Sequence, residues 1–416
     1  MINPMVRFKN DNGNDYPDWE KCIVDDVFVE RNEAHLITDD APQLSFTIEQ
    51  GVIYPEDKKT NKRDFLIKDK SSKKFLLTEY NDIIYNPANL KFGAIHRNKL
   101  GRGVVSPIYA IFKTDQDPAF MEYLVRNPRF IKRSLKYLEG TVIKLMTLKP
   151  RDFVKMKISV PCIEEQKRIS DFLSKIDALI AISEKEVNKY KELKKGCLQT
   201  MFPRDGADVP EVRFPGFTDA WEQRKCEGIL RPEKGAMKIG PFGSALKKEF
   251  YTEVGVKVYA QENIFQEDFS IGNYYISDER YQTLKGCKLE AGDLVISMMG
   301  TIGACAIFPE DAEPGIMNSH LLRLQLKDDI YPEYIHQLLR DSQLIRKQID
   351  RLSVGSIMSG LSSSVVQKLV FPVPCIEEQK KIAEFLVHID NLITLHQREC
   401  EKYRELKSGL LQKMFV

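Results

Sequence analysis

The sequence predicts a mixed chain of two variable α/β (α+β) domains joined by two long helices that pair as an antiparallel coiled coil, with a pseudo-twofold internal repeat. Two observations predict this. Residues 374–416 repeat residues 161–203, displaced by 213 positions without a gap and identical at 25 of 43 places. The long segments between the copies share only their borders. The boundaries that follow are 1–160 for the first variable domain, 161–203 for a central helix, 204–373 for a linker and second variable domain, and 374–416 for a distal helix.

Each half opens on the same border, with Val6-Arg7-Phe8 before Trp19 and Val212-Arg213-Phe214 before Trp221, the only two tryptophans. Within the variable domains, Asp82–Tyr85, Val104–Phe112, Val256–Ala260, Asp293–Met298 and His320–Leu326 carry strand patterns, and Pro118–Tyr137 and Pro332–Leu352 carry helical ones. Strands between turn signals, closed by helices, describe a compact α/β domain.

The repeated segment reads as a helix because Ile169, Phe172, Leu173, Ile176, Leu179, Ile180, Val187, Tyr190, Leu193, Leu198 and Met201 recur at steps of mostly three and four. The second copy keeps the stripe through Ile382, Phe385, Ile389, Leu392, His396, Cys400, Tyr403, Leu406, Leu410 and Met414. Glu164 and Glu165 follow a proline and suit a helix N-terminus, while Pro203 ends the first copy. A helix of about 39 residues spans roughly 60 Å. One apolar stripe of that length needs a partner, and the duplicate is the obvious one. The expected seam runs through Ile169, Phe172, Ile176, Leu179 and Tyr190 against Ile382, Phe385, Ile389, Leu392 and Tyr403. An antiparallel pair alone makes the two halves equivalent. Glu165, Lys189 and Lys194, matched by Glu378, Lys402 and Lys407, are read as duplicated surface positions. Between the halves, Pro203, Gly206, Pro210, Pro215 and Gly216 form a helix-breaking linker.

At 416 residues and 43% apolar content the chain has ample material for two to four folded units. Its eight cysteines form no Cys-x-x-Cys pair, which excludes a zinc site or a disulfide framework from the expectations. No run has the length to cross a bilayer and the first residues lack a signal-peptide core, so a cytoplasmic location is expected. The net charge of +2 conceals a polarised first half, with 4 basic and 13 acidic side chains in 1–57 against 13 basic and 4 acidic in 58–113. Residues 126–157 carry 10 basic and 2 acidic side chains. Local fields of this kind attract polyanions.

Several motifs fail as catalytic sites. Asn86-Pro87-Ala88 lacks the second proline and aromatic residue of an adenine-methyltransferase loop, and reads as a strand-end turn. Gly240-Pro241-Phe242-Gly243-Ser244 has its lysines misplaced for a phosphate loop. Glu165-Gln166-Lys167 has no second carboxylate cluster to make a nuclease metal site, and the six histidines show no ligand spacing. No catalytic residue and no metal site is expected.

VPEVRFPGFTDAWEQRK at 209–225, VPCIEEQ ending at Gln166 and again at Gln379, KIGPFGSALKKEFY at 238–251 with Gln261-Glu262-Asn263-Ile264, and GRGVVSPIY at 101–109 resemble recurring elements of one family. That family is the specificity subunits of type I restriction-modification systems. The N-terminal VRFKNDNGNDYPDWEK departs from it by lacking the Phe-Pro-Gly-Phe step kept at 214–217. The resemblance implies a non-catalytic DNA-binding protein of phage defence whose variable domains are target-recognition domains. Each would recognise half of a bipartite double-stranded DNA site, while the helices set the spacer and bind two methyltransferase subunits. Those subunits would bring S-adenosylmethionine and flip an adenine in each half-site, and two motor-nuclease restriction subunits would complete the complex.

Base reading and phosphate neutralisation call for Arg, Lys, Asn, Gln and Ser at groove edges. In the first domain the candidates are Lys58, Lys59, Lys62, Arg63, Lys73, Lys74, Lys91, Arg97, Asn98, Lys99 and Arg102. In the second they are Lys238, Ser244, Lys247, Lys248, Gln261, Asn263, Asn318 and Ser319. A coiled-coil scaffold binding only proteins is one rival reading, separated by its lack of salt-dependent duplex binding. An autonomous methyltransferase is another, separated by binding of S-adenosylmethionine to the chain alone.

Overall fold

The structure, a computed structural model, describes residues 3–58, 74–139, 146–204, 206–301, 303–353 and 361–416. The chain divides into two compact units, residues 1–183 with 398–416, and residues 184–397. Each unit thus takes part of both long helices. Sequence segments follow the repeat, whereas these units follow shared cores.

In the first unit an antiparallel sheet runs in the order Phe28–Glu30, Ala110–Thr114, Ile83–Tyr85, Ile95–Arg97. A smaller sheet of Ala34–His35, Phe75–Thr78 and Gly103–Val105 lies beside it in sequence, with a hairpin of Ser45–Thr47 and Gly51–Ile53. The expected single strand Val104–Phe112 is two strands, since Pro107 removes a ladder donor between them. The expected helix Pro118–Tyr137 is also divided. Asn127 is extended before Pro128, and its side chain accepts from the Arg129 amide at 2.9 Å, capping the second helix, Pro128–Ser134.

The second unit repeats the plan with different residues. Its main sheet has the order Met237–Ile239, Leu321–Leu324, Leu294–Ser297, Cys305–Ile307, again first, last, second and third in the chain. A further sheet holds Tyr251–Thr252, Tyr275–Ile276, Val256–Tyr259 and Gly315–Met317, the last pair parallel. The helical stretch breaks at Ser342, whose hydroxyl accepts from the Leu344 amide and separates Pro332–Asp341 from Gln343–Leu352.

Both units close on the same frame. Glu20–Ile23 pairs with Lys157–Val160, and Glu222–Lys225 with Val370–Val373, so the start of each variable domain is zipped to its end. The chain then enters the central helix, Ile163–Thr200, or the distal helix, Ile376–Met414. Arg7 grips Glu165 through two hydrogen bonds of 3.0 and 2.7 Å, and Arg213 grips Glu378 through two of 2.9 and 2.7 Å. Both carboxylates are buried. Gln166 donates to the Pro161 carbonyl at 2.8 Å and accepts from the Asp117 amide at 3.1 Å; Gln379 donates to the Pro374 carbonyl and accepts from the Tyr331 amide, both at 2.9 Å. The repeated Pro-Cys-Ile-Glu-Glu-Gln is therefore a joint between helix and variable domain. Glu165 and Glu378 do not serve the surface role expected of them.

The helices run antiparallel. In the first unit Lys407, late in the distal helix, pairs with Asp177, early in the central one. In the second unit Lys194, late in the central helix, pairs at 2.7 Å with Asp390, early in the distal one. These are the same two repeat positions with the roles of the helices exchanged. Lys194 is buried and Lys407 half-buried, so neither holds the surface-facing position expected from sequence.

The buried stripe of the central helix is Gln166, Ile169, Leu173, Ile176, Ile180, Ser183, Val187, Tyr190, Lys194 and Cys197, alternating steps of three and four, with Ile180, Tyr190 and Cys197 partly exposed. Its copy runs Gln379, Ile382, Leu386, Ile389, Ile393, His396, Cys400, Tyr403, Lys407, Leu410 and Met414, partly exposed from Ile393 onward except at Cys400 and Met414. Within the second unit Tyr190 stacks on His396 with ring centroids 5.6 Å apart. Phe172, Leu179, Phe385 and Leu392, all expected in the seam, lie one position off this stripe. Phe172, Leu179 and Phe385 are exposed and Leu392 is half-buried. Phe172 meets Phe8 edge-on at 5.5 Å and Phe385 meets Phe214 at 6.0 Å, so each border segment shields one side of a ring that is otherwise exposed.

The helices also feed the cores. In the first unit Trp19, Tyr85, Phe112, Phe120 and Phe153 pack with Ile169, Leu173 and Ile176 and with Met414 and Phe415 from the other helix. In the second, Trp221, Leu322, Tyr334 and Phe371 pack with Ile382 and Leu386 and with Met201 and Phe202. Each tryptophan meets the phenylalanine after the other repeat's helix, Trp19 with Phe415 at 6.2 Å and Trp221 with Phe202 at 6.3 Å.

Burial at Ile176 and exposure at Phe172 give a direct contrast. Ile176→Asp or Ile389→Asp is expected to cost about 3 to 5 kcal/mol in urea denaturation, since an unpaired charge enters a core. Phe172→Asp is expected to cost on the order of 1 kcal/mol. Equal losses at 172 and 176 would show that the stripe is misassigned.

Candidate nucleic-acid interface

In the second unit four loops are tied together at one end of the main sheet. The Gly240 amide donates to the Leu321 carbonyl at 3.0 Å, Asn318 to the Tyr259 carbonyl at 2.9 Å, and Met298 to the His320 carbonyl at 2.9 Å. Gln261 joins them, its amide nitrogen donating to the Ser297 hydroxyl at 2.8 Å and the Met299 carbonyl at 2.9 Å. A side chain at Gly240 would place its Cβ 1.8 Å from the Asn318 carbonyl oxygen, so only glycine permits this approach.

The loop cluster carries five of the expected candidates. Lys238 is exposed on an edge strand leading into the loop that holds Ser244, also exposed, while Gln261, Asn318 and Ser319 are half-buried. Lys247 and Lys248 are exposed on the turn that follows. Asn263 is a correction. It is buried, accepting from the Ala260 amide at 2.8 Å and donating to the Asp268 and Ile271 carbonyls at 3.0 Å, so both its amide protons hold the loop and burial keeps the group from a base.

In the first unit the candidates separate. Lys91 lies in the hairpin loop 86–94 between the second and third strands of the main sheet, whereas Arg97, Asn98 and Lys99 lie at the opposite end of the strand Ile95–Arg97. Asn98 is buried and corrected for the same reason as Asn263. It donates to Thr78 at 3.0 Å and to the Gly101 carbonyl at 2.7 Å, and accepts from the Leu100 amide at 3.0 Å. Asn86 accepts from the Ala88 amide at 3.0 Å, the strand-end turn expected for Asn86-Pro87-Ala88.

Charge near Arg97 is largely balanced within the fold. The buried carboxylate of Glu122 takes Lys99 at 3.0 Å, Arg97 at 3.4 Å and Arg126 at 3.6 Å. Burial pushes its carboxyl up, and those three cations outweigh burial and hold it below its ordinary value. The neighbouring His96 is pushed down to about 4, by burial first and then by Arg126. Arg102 pairs with Asp40 and Glu79. A phosphate would have to compete for Arg97, Lys99 and Arg102. Lys58 is half-buried and Lys74 exposed, while Lys59, Lys62, Arg63 and Lys73 lie outside the described residues.

Polar residue types led the sequence reading past the apolar ones. Phe92, Phe242 and Met299 stand exposed on these same loops, and Phe265 on the short helix Gln261–Gln266. Nothing in their spacing marks them, because topology brings the loops together. Among the described residues no group of three or more His, Cys, Asp or Glu side chains is placed to hold a metal ion, and no helix is long and apolar enough to cross a membrane.

A model of the type I restriction modification DNA specificity domain matches residues 108–192 and 237–402. The type I restriction enzyme MjaVIII specificity subunit of Methanocaldococcus jannaschii is 25% identical over 359 residues, covering 83% of this chain and 81% of its own length. The putative MjaX specificity subunit of the same organism is 24% identical over 307 residues, covering 73% of this chain and 68% of its own. In fold the chain is similar to the S subunit of a type I restriction-modification system from M. genitalium, with a TM-score of 0.62 at 15% identity over 100% of this chain and 99% of that one. A second solved chain, from work on complex assembly and conformational transition of the type I system, gives 0.50 at 16% identity over 96% of this chain and 98% of that one. Matches in both halves, and a relative aligned along most of the chain, make this protein a member of the type I restriction-modification specificity-subunit family.

Proposed function

We propose that each variable domain reads one half of an asymmetric, bipartite double-stranded DNA site, that the paired helices fix the spacer, and that the chain itself catalyses nothing. One observation carries this reading. The frame is duplicated down to Arg7 and Arg213, Gln166 and Gln379, Asp177 and Asp390, while the loops at the sheet ends differ in length and residue type. A constant frame with two dissimilar loop sets suits two dissimilar half-sequences at a set separation.

Methylation in this reading belongs to two adenine-methyltransferase subunits, which carry S-adenosylmethionine, and two motor-nuclease restriction subunits join through them. Support for two equivalent docking places comes from the outer faces of the helices. Phe172, Leu179, Ile182 and Leu193 recur at 213 positions as Phe385, Leu392, Leu395 and Leu406, and all but half-buried Leu392 are exposed. Apolar side chains duplicated on a solvent face mark an interface better than isolated ones do.

Mapping of methylated adenines across the host genome, with this chain present and deleted, tests the reading. The expected motif has two different half-sequences around a spacer of constant length and indifferent bases. A palindromic motif, or methylation unchanged by the deletion, would contradict it.

Docking is tested by Ile182→Asp combined with Leu395→Asp. The pair is expected to strip methyltransferase subunits from the purified complex while moving unfolding free energy by less than about 1 kcal/mol. Retention of two methyltransferase subunits at saturation would place the interface elsewhere.

A further inference from the structure

The hairpin between the second and third strands of the main sheet has one property in common between two otherwise dissimilar domains. In the first unit it spans 86–94 and carries Phe92, 65% exposed, followed by Gly93 at φ +83°. In the second its described residues are 298–301, 303 and 304, and it carries Met299, 50% exposed, followed by Gly300 at φ +84°. Both loops close the same way, by Asn86 donating to the Ala94 carbonyl at 2.9 Å and Ser297 donating to the Ala304 carbonyl at 2.8 Å. A single exposed apolar side chain is ordinary on a protein surface. Here the same hairpin of each sheet holds one beside a left-handed glycine, Phe92 on the arm entering the third strand and Met299 on the arm leaving the second.

We propose that Phe92 and Met299 are wedges that insert between base steps of duplex DNA, one in each half-site; this rests on the DNA-reading function above. Large apolar side chains entering a stack unstack and kink the duplex, which lets the surrounding polar loops reach base edges. Each wedge is held ready. The Met299 carbonyl accepts from the Ser297 hydroxyl at 2.7 Å and from Gln261 at 2.9 Å, fixing the loop from which the side chain projects. Phe92 follows the turn anchored by fully buried Leu90, and the Lys91 ammonium lies 5.3 Å from its ring centroid, where a wedge between bases would bring it near phosphate.

Variation at these positions favours DNA over a protein partner. Two copies of one partner subunit would meet duplicated side chains, as they do along the helix faces. The wedges instead differ both in identity and in their place along the hairpin, as the rest of the two loop sets differs.

The test uses the full chain assembled with its methyltransferase subunits on a duplex bearing the mapped motif. 2-Aminopurine, which brightens on unstacking, replaces bases of each half-site other than the methylated adenine. Phe92→Ala is expected to weaken target binding about tenfold, leave its salt dependence unchanged and abolish the fluorescence rise in one half-site. Met299→Ala should do the same in the other half-site, and Phe92→Leu should preserve both binding and fluorescence. Unchanged affinity and fluorescence in both alanine variants would overturn the wedge while leaving DNA reading intact, and so would loss of methyltransferase subunits from either variant, which would assign the hairpins to a protein contact. A wild-type complex without sequence-specific binding would overturn the DNA reading together with this proposal.

Discussion

Burial of one apolar stripe along each of two long helices is the constraint on which the rest depends. A helix of 38 or 39 residues with a single buried face cannot hold that face in water. Here the stripe is covered in part by the other helix and in part by the core of a variable domain. Ile169, Leu173 and Ile176 enter the first unit's core beside Met414 and Phe415, and Ile382 and Leu386 enter the second's beside Met201 and Phe202. Neither variable domain has a complete core without residues from both helices.

This explains why the joints are charged and duplicated. Hydrophobic burial fixes that the helices pack, but it is non-directional and leaves rotation and sliding weakly specified. The Arg–Glu pairs set each border segment against its helix by a two-point contact, and the Lys–Asp pairs lock the helix register at two repeat-related positions. Buried ion pairs contribute more to specificity of arrangement than to net stability in some systems, and a fixed arrangement is what the proposed role of the frame in setting the spacer requires. With the frame fixed, the loops at the far end of each sheet are free to differ without disturbing the cores.

Much of this was legible in the sequence because a repeat displays itself. The helix boundaries, the antiparallel pairing and the two-domain plan follow from 25 identities at one displacement. The seam was read one position off at Phe172 and Leu179 because two adjacent apolar stripes run along each helix, and spacing alone cannot say which faces the other helix. Arg7 and Glu165 are 158 residues apart and Arg213 and Glu378 are 165 apart, so no local pattern links them. Asn98 and Asn263 were misread because an amide that folds a loop and one that reads a base are the same residue type. Phe92 and Met299 carry no signal in the sequence, because what they share is a hairpin of the fold, which composition does not carry.

The claim that one duplicated frame carries two independent readers is tested most directly by exchanging a reader. Replacing residues 20–160 with the first variable segment of another family member carries both strands of the Glu20–Ile23 and Lys157–Val160 pair together and leaves Arg7, Trp19 and the helices in place. Methylated adenines are then mapped across a host genome. The account predicts that one half of the recognised motif changes while the other half and the spacer remain. A motif rewritten in both halves, or unchanged in either, would contradict it.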